Sequence, residues 1–383
     1  YGTPYHAFCQ ATLAACSATS AKRAYTMNAF RGLDHAVRYL LDPACPDYAA
    51  RIDRATGTVT RENYRDYFWS PVMRTFRLLK AEGVSMAEAF SQTIAGVDVT
   101  QTFATRPPNH RSAVWLSGEW IRIKAGLSPT SMQQFDEWLG TFLDEGIISD
   151  LGLYQEPGHP NSNDILVRVH LADILLEGYD GRWVDAMQAL LYYGLRRSLG
   201  IQLSDGSLAS AHISSGQSWT ASAQLAFFTH AANFYRERDR ELHELADSAA
   251  RRAFASFVRW QRPEDTFSPV ENLHPANYRI GYENHTMDGH YGNIALSFLA
   301  MAILNGFQHE PLPPDAPRTA THYFEHDPTY RGCVHQDAYS VHVNAQPSSP
   351  MDGFGITDIT FGPGRFLHFA SSAVHLASGQ VFN

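Results

Sequence analysis

The sequence is poor in basic residues and in long apolar runs, and each shortage narrows the range of partners. Lys and Arg together number 30 of 383 residues, against 39 Asp and Glu, and the formal net charge is −9. Because no basic run is present to neutralise phosphates, we expect no nucleic-acid partner. No stretch reaches the roughly 18 successive apolar residues of a membrane span, so we expect no membrane partner either.

Cysteines are also few, and their spacing is not that of a metal or redox site. Cys9, Cys16 and Cys45 lie near the N-terminus and predict one local disulfide among them, whereas Cys333 is remote. No CxxC pair or Cys/His zinc spacing occurs, and we expect no metal and no other cofactor. The sequence lacks a Gly-x-Ser-x-Gly elbow, a phosphate loop and a dinucleotide fingerprint, so hydrolase triads and nucleotide chemistry have no support.

The beginning of the sequence bears on localisation. The first residue is Tyr1 rather than Met, which favours a processed protein, secreted or held in the cell envelope. The cysteine content alone does not decide the compartment. The sequence gives no prediction of the oligomeric state.

Helical periodicity dominates the sequence from residue 5 to about residue 306. Start signals are Thr60, Ser128-Pro129-Thr130 and Asn161, and Gly200 and Gly306 predict helix ends. Because no strands intervene and no fixed-period repeat is found, the pattern favours a bundle or an α/α toroid over a solenoid. The clearest predicted helices are 26–41, 61–81, 110–125, 130–146, 161–177, 181–198, 218–236, 239–260 and 289–306.

The pattern changes after residue 306. Period-two alternation at 333–344 and 354–375, with a turn at Gly362-Pro363-Gly364, predicts antiparallel strands. The preceding stretch is Pro-rich and predicts a linker. The predicted division is a helical catalytic domain at 1–307, a linker at 308–320 and an antiparallel β segment at 321–383.

Two polar clusters lie where predicted loops enter helices. In the first, Asn163 and His170 are seven residues apart and share a helix face, although Asn161 or Asn163 alone is explained as an N-cap. The second is the Gly-punctuated stretch from Asp205 to Trp219, whose single histidine is His212. Asp-Gly is an everyday turn, and a lone loop histidine is often solvated. A histidine there also titrates near neutral pH, which suits proton transfer.

The third cluster, at 278–291, is the densest in polar side chains. It is interpreted either as part of a site or as a hydrogen-bonded knot at a helix start. A metal site from His285, Asp288 and His290 has no strong metal spacing and ranks lower. The cluster comprises Tyr278, Arg279, Tyr282, Glu283, Asn284, His285, Asp288, His290 and Tyr291.

A fourth candidate lies at 115–124 (WLSGEWIRIK). Glu119 and Arg122 have the spacing of a plain ion pair on a solvated helix face, and Trp115 and Trp120 are explained as core residues. The alternative to a core role is that the tryptophans of this stretch, Trp115 and Trp120, form a sugar-binding platform.

The order of these motifs resembles that of the polysaccharide lyases with an α/α toroid. These are the hyaluronate, chondroitin and xanthan lyases, with heparinase-like and alginate lyases more distant. The shared order is a helix-opening Asn, then Asp-Gly-Ser…His, then Glu-Asn-His…Gly-His-Tyr-Gly, spread with the first strands over residues 110–345. The resemblance implies a mainly α fold, an incomplete α/α toroid followed by a short antiparallel β-sheet segment.

The resemblance also implies roles for individual residues. Asn163 (or Asn161) matches the Asn that binds the uronate carboxylate, His212 matches the catalytic His, and Glu283 with Asn284 matches the Glu-Asn pair near the site. Where the family has a proton-transferring Tyr in Tyr-Thr-Gly, this sequence has Trp219-Thr220-Ala221.

The implied reaction is β-elimination in a uronic-acid-containing polysaccharide or oligosaccharide. Asn163 neutralises the carboxylate, His212 is the base, Tyr282 or Tyr291 is the acid, and no metal is needed. The alternatives are a glycoside hydrolase of α/α-barrel type with two carboxylates from Glu119, Asp164, Glu283 and Asp288, and a non-catalytic glycan-binding protein. Expected substrate-binding residues are Asn161, Arg279, Glu283, Asn284, His285, Trp219, Trp120 and Glu119.

Overall fold

The chain folds as two compact units. One comprises Tyr1–Gly146 with Asp173–Val184, and the other comprises Ile147–Ala172 with Asp185–Asn383. The second unit contains both helices and the C-terminal sheet, so the units divide the chain elsewhere than at the predicted linker 308–320. The computed structural model describes residues 2–41, 50–52, 59–61, 64–103, 108–148, 151–155, 163–208, 216–272, 274–282, 286–311, 322–324, 331–336, 338–345, 355–361 and 366–368.

The first unit is helical around one apolar core. Trp69, Phe76 and Phe103 are fully buried there, and the rings of Trp69 and Phe103 are 5.2 Å apart. A short antiparallel pair, β1 and β2, precedes a 3-10 turn at Tyr64–Phe68. The elements are α1 (Gly2–Cys16), α2 (Lys22–Leu41), β1 (Ala50–Ile52), β2 (Val59–Arg61), α3 (Trp69–Ala81), α4 (Ser85–Ala95), α5 (Val99–Thr102), α6 (His110–Lys124) and α7 (Met132–Gly146).

Two predicted helix starts in this unit are wrong. Thr60 lies in β2, paired with Arg51, so α3 begins only at Trp69. At α7, Ser131 rather than Ser128 accepts the N–H of Gln134, at 3.2 Å. The hydroxyl of Ser128 is instead bonded to Glu119. Tertiary partners therefore decided which of several capping residues was used.

Helix α1 excludes one of the three pairings that are open to the predicted N-terminal disulfide. Cys9 and Cys16 both lie on this helix, seven residues and about 10 Å apart along its axis. Their Cα atoms are therefore farther apart than the roughly 7 Å that a disulfide can span. Cys45 lies outside the described residues, so a bond to it stays a prediction.

In the second unit, two helices are almost wholly buried, α8 (Asn163–Leu176) and α10 (Ser218–Tyr235). Every residue of α10 except Asn233 is buried, and α10 packs against α11 and α12. Gly306 ends α12 in a left-handed conformation (φ +83°), as predicted, whereas Gly200 lies within α9. The elements are β3 (Ile147–Ile148), β4 (Leu153–Tyr154), α8 (Asn163–Leu176, which ends in the first unit), α9 (Val184–Ile201), α10 (Ser218–Tyr235), α11 (Arg240–Val258) and α12 (Asp288–Leu304).

A tight turn recurs at the ends of α9 and α11. Gln202 pairs with Leu208 in the first turn, and Gln261 pairs with Phe267 in the second. The same backbone bond closes both, from Leu203 N–H to Ser207 O at 2.8 Å and from Arg262 N–H to Thr266 O at 2.7 Å. The equivalent left-handed positions are Gly206 (φ +88°) and Asp265 (φ +61°). The structure thus contains a repeat that is hidden in the sequence.

Gly206→Ala is expected to destabilise the protein by about 2–5 kcal/mol, because the left-handed backbone and a steric clash both oppose a Cβ atom. A Cβ atom here would lie 2.0 Å from the carbonyl oxygen of Arg252. Gly216→Ala is the control, since Gly216 is also left-handed (φ +72°) but has open space around it. Urea denaturation measures the free energy of unfolding of both variants. Equal losses would show that the contact with Arg252 adds nothing to the cost of the left-handed backbone.

Among the described residues the C-terminal sheet has five antiparallel strands in chain order, which confirms the predicted antiparallel β segment. Its exposed face carries apolar side chains and its buried face carries mainly polar ones, which is the reverse of an ordinary half-buried sheet. The outer face exposes Val334, Tyr339, Ile356 and Phe361. The buried face carries Cys333, His335, Ser340, His342, Asn344, Thr357, Asp358 and Thr360. The strands are β5 (His322–Phe324), β6 (Arg331–Gln336), β7 (Tyr339–Asn344), β8 (Gly355–Phe361) and β9 (Phe366–His368).

Among the described residues, no helix combines the length and the apolar character needed to cross a bilayer. The predicted turn Gly362-Pro363-Gly364 lies outside the described residues, although the strands on either side of it, β8 and β9, pair as predicted.

Candidate functional site

The loops that lead into α10 and α12 are joined side by side. Gln217, which precedes α10, pairs with Val270. The N–H of Ser218 donates to the carbonyl of Pro269 at 3.1 Å, and the N–H of Glu271 donates to the carbonyl of Gly216 at 2.8 Å. The end of the second polar cluster therefore lies beside the loop that leads to α12.

A line of hydrogen bonds runs from α10 towards α12. The indole N–H of Trp219 donates to Gln217 Oε1 at 3.1 Å, and Gln217 Nε2 donates to Thr286 Oγ1 at 3.3 Å. The guanidinium of Arg279 donates to the carbonyl oxygen of Thr286 at 2.8 Å. Thr286 thus ties Arg279 to the start of α10.

Arg262, Arg279, Tyr282 and Asp288 form what we call the α12 cluster. The Tyr282 hydroxyl donates to Asp288 Oδ1 at 2.7 Å, and Arg262 Nη1 lies 3.9 Å from the same oxygen. Arg279 is an exposed residue, and its guanidinium lies over the Tyr282 ring, 4.7 Å from the ring centroid. A phenol, a carboxylate and two cations are therefore in contact at one helix start.

Electrostatics favours the neutral phenol in this cluster. Burial raises the pKa of Tyr282 above its ordinary value, and the hydrogen bond to Asp288 raises it further, while Arg262 opposes the shift. Asp288 opens α12, where the helix dipole favours a negative charge. At neutral pH the cluster accordingly holds a protonated phenol that is hydrogen-bonded to Asp288.

The structure brings together some of the predicted site residues. Tyr282 and Arg279 are in direct contact, and Trp219 joins them through Gln217. Tyr282 and Trp219 are each only 4% exposed. Tyr291 is half-buried one turn further along α12, with its ring 5.0 Å from that of His290. The predictions for Asn161, His212, Glu283, Asn284 and His285 lie outside the described residues.

Asn163 and His170 do lie on α8, as predicted. Asn163 is the first residue of the helix and is half-buried. His170 is buried, and its ring centroid is 6.1 Å from that of Phe298 on α12. The face that they share therefore points towards another helix of the same unit.

Glu119 and Trp120 occupy a different place from the one predicted for substrate-binding residues. Glu119 is fully buried in the first unit, where it accepts hydrogen bonds from Trp69 Nε1 at 3.0 Å and from Arg122. Trp120 is 2% exposed, and its indole donates to the carbonyl of Glu177 at 3.3 Å. Neither side chain presents a surface to a glycan. The predicted Glu119–Arg122 pair is present, but it is buried rather than solvated.

The carboxylates considered for hydrolysis differ in exposure. Asp164 is buried, bonded to Arg168 and to the Tyr154 N–H, and Glu119 is buried as well. The side chain of Asp288 is 52% exposed. Glu283 lies outside the described residues. In the part of the chain that the structure describes, Asp288 is thus the accessible member of this set.

The described residues contain no arrangement typical of a metal site. Within the described ranges, no group of three His, Cys, Asp or Glu side chains is arranged to hold a metal ion. Of the three residues named for such a site, Asp288 and His290 are described and His285 is not.

Comparison with known proteins reveals similarity in structure but not in sequence. No family model and no curated protein matches the chain. A family 88 glycosyl hydrolase from Bacteroides vulgatus has a similar structure, with a TM-score of 0.53 at 11% identity over 79% of this chain and 90% of that one. A polysaccharide lyase is similar with a TM-score of 0.50 at 12% identity, over 81% of this chain and 92% of that one.

The chain has an α/α-toroid fold followed by an antiparallel sheet. This confirms the fold that the motif order implied. At 11% and 12% identity, the similarity establishes the fold and transfers no residue roles.

Three residues of the candidate site were not singled out individually from the sequence. Arg262, Gln217 and Thr286 carry the contacts of the α12 cluster, yet none of them stands out in the sequence. Arg262 lies 26 positions before Asp288 and reaches it only because the turn after α11 folds back. The sequence does predict that the long polar connections 200–217 and 261–288, which contain these three residues, are functional, since long loops within compact helical folds often are.

Proposed function

We propose that the protein is an enzyme of glycan degradation, a polysaccharide lyase that cleaves a uronic-acid-containing glycan by β-elimination. The observation that carries this proposal is the α12 cluster, where a protonated phenol is in contact with an exposed arginine. The toroid fold is consistent with it, because both similar structures are named as carbohydrate-active enzymes.

Elimination makes three chemical demands, and the α12 cluster offers groups for two of them. The uronate carboxylate must be neutralised so that the C5 proton becomes acidic, and the guanidinium of Arg279 is suited to bind it. The departing 4-oxygen must receive a proton, and Tyr282 holds one at neutral pH. The third group is the base that removes the C5 proton, for which we propose His212, with Asn163 as a second neutralising group.

Tyr282 is better placed than Tyr291 to act as the acid. Its hydroxyl is oriented by Asp288 at 2.7 Å and it lies beside both cations of the cluster. Tyr291 contacts His290 edge-on and belongs to the next turn of α12. We therefore assign the acid to Tyr282.

A glycoside hydrolase is the second candidate, favoured by one observation. Asp288 is an accessible carboxylate that accepts a hydrogen bond in the cluster, and one of the similar structures is a glycosyl hydrolase. Hydrolysis needs a second carboxyl group about 5–10 Å away. Glu283 is the proposed partner.

The two reactions are distinguished by their products. We expect purified protein, incubated with a panel of uronate polysaccharides, to produce an ultraviolet absorbance that rises in step with new reducing ends, because elimination leaves an unsaturated uronate. In water enriched in ¹⁸O, the new reducing end should remain unlabelled, since elimination breaks the bond to C4. New reducing ends with the label and without absorbance would establish hydrolysis instead.

A further inference from the structure

The buried face of the C-terminal sheet is built from groups that form hydrogen bonds. A sheet that packs only for stability buries apolar side chains, because burying polar groups costs free energy unless each finds a partner. Here Ser340 and Thr360 are buried while Val334 and Ile356 on the opposite face are exposed. The polar face must therefore have partners that justify its burial.

Those partners are backbone and side-chain groups at the end of α9. The N–H of Ser204 donates to Ser340 Oγ at 2.8 Å, and the hydroxyls of Ser204 and Thr360 are 2.5 Å apart. His335 completes the contact, with Nε2 3.0 Å from the Gly200 carbonyl oxygen and Nδ1 2.8 Å from Ser340 Oγ. With the proton on Nε2, His335 donates to Gly200 and accepts from Ser340, so each of these groups is satisfied.

The same turn is held from its other side by helices. Arg259 on the α11 side donates to the Asp205 carboxylate at 2.7 Å and to the Asp205 carbonyl at 2.8 Å. Gln224 of α10 donates to the Gly206 carbonyl at 3.1 Å. Residues of the helical part thus form the hydrogen bonds to Asp205 and Gly206. The sheet adds hydrogen bonds to Gly200 and Ser204.

We propose that the buried face of the sheet, through Ser340, His335 and Thr360, is a positioning surface for the turn 202–208. The inference rests on the proposed function in one respect, namely that the proposed base, His212, follows this turn in the sequence. Ser340, His335 and Thr360 act through the turn and touch no substrate. A base must be held within a few tenths of an ångström of its working position, so loosening its attachment slows the chemical step.

Strand β8 supplies a matched pair of variants for the test. Thr360 and Thr357 are both 1% exposed on the buried face, but Thr357 bonds within the sheet, to His342 and Asp358, whereas Thr360 bonds to the turn. Thr→Val preserves the shape and removes the hydroxyl at either position. The two variants of the full chain therefore differ in whether the lost bond reached the turn.

Amide hydrogen exchange in the peptide covering 202–208 is the first measurement. We expect Thr360→Val and Ser340→Ala to speed its exchange by about tenfold, the effect of one lost hydrogen bond, while Thr357→Val leaves it unchanged. Ser340→Thr retains the hydroxyl and should restore the wild-type rate. Equal exchange in the two Thr→Val variants would overturn the proposal, and this outcome can be read even in a protein without lyase activity.

Steady-state kinetics on the cleaved glycan is the second measurement. Thr360→Val should lower kcat by about tenfold with KM within about twofold, because positioning acts on the chemical step, and Thr357→Val should retain wild-type values. A fall of kcat in both variants, in proportion to lost thermal stability, would show that the sheet only stabilises the fold. Failure of every variant and the wild type to cleave would refute the proposed function and leave the exchange result to decide the inference.

Discussion

Tyr282→Phe lowers kcat/KM for glycan cleavage by about 10²- to 10⁴-fold, the range expected for loss of a general acid, and leaves the fold intact. The substitution removes only the hydroxyl that donates to Asp288 at 2.7 Å. The ring remains beneath the guanidinium of Arg279, 4.7 Å from its centroid. Initial rates of absorbance increase measure the effect, and circular dichroism checks the fold.

Tyr291→Phe is the control for this result. It removes the other phenol proposed from the sequence, which lies on the same helix but beside His290. We expect a change of less than about threefold, since this hydroxyl lies outside the α12 cluster. A large loss in Tyr291→Phe with little loss in Tyr282→Phe would reverse the assignment of the acid.

The pH dependence follows from the direction of the Tyr282 shift. A phenol that acts as an acid must be protonated, and its pKa is raised by burial and by Asp288. Activity attributable to the phenol is therefore retained at neutral pH and lost only as the pH rises beyond the ordinary pKa of tyrosine, about 10. Asp288→Asn removes one cause of the raised pKa of Tyr282. In the pH–activity profile of this variant, we expect the fall in activity at high pH to begin at a lower pH than in the wild type.

Arg168→Met destabilises the second unit by about 3–5 kcal/mol, because it leaves Asp164 buried without its counter-charge. Arg168 Nη2 lies 2.7 Å from Asp164 Oδ2, and both side chains are less than 10% exposed. The guanidinium also donates to Ser198 Oγ at 2.6 Å and lies 4.6 Å from the ring centroid of Phe227. One side chain thus joins α8, α9 and α10. Chemical denaturation followed by circular dichroism measures the loss.

Arg240→Met provides a matched comparison. Arg240 and Glu244 are also a helical pair four residues apart, at 2.7 Å, but the Arg240 side chain is 90% exposed. Water and salt screen such a pair, so we expect no measurable change in the free energy of unfolding. Similar losses in the two variants would show that burial does not control the strength of the Arg168 pair.

Much of the helical architecture could be predicted because amphipathic periodicity is a local property. The predicted helix 110–125 is observed at His110–Lys124, and 218–236 is observed at Ser218–Tyr235. α5 has four residues, too few to show a period, and was not predicted. The two residues of β3 pair with β4 across a turn, which no alternation over so short a stretch could indicate.

The candidate site was predicted only in part, for a physical reason. Tyr282 and Arg279 were found because a dense polar run at a helix start is visible in the sequence. Arg262 and Gln217 were not found, because their role depends on which loops pack together. Glu119 and Trp120 were misplaced for the converse reason, since spacing on a helix does not reveal whether a face is solvated or buried.

By itself the sequence determined the helices, the change to antiparallel strands and the polar segments at helix starts, because each depends on residues near one another in the chain. Only the tertiary structure decided which of these segments meet. It brought Arg262 to Asp288, placed Glu119 in the core, and set the polar face of the sheet against the turn after α9. These outcomes depend on hydrogen bonds and burial between distant residues, which local patterns do not encode.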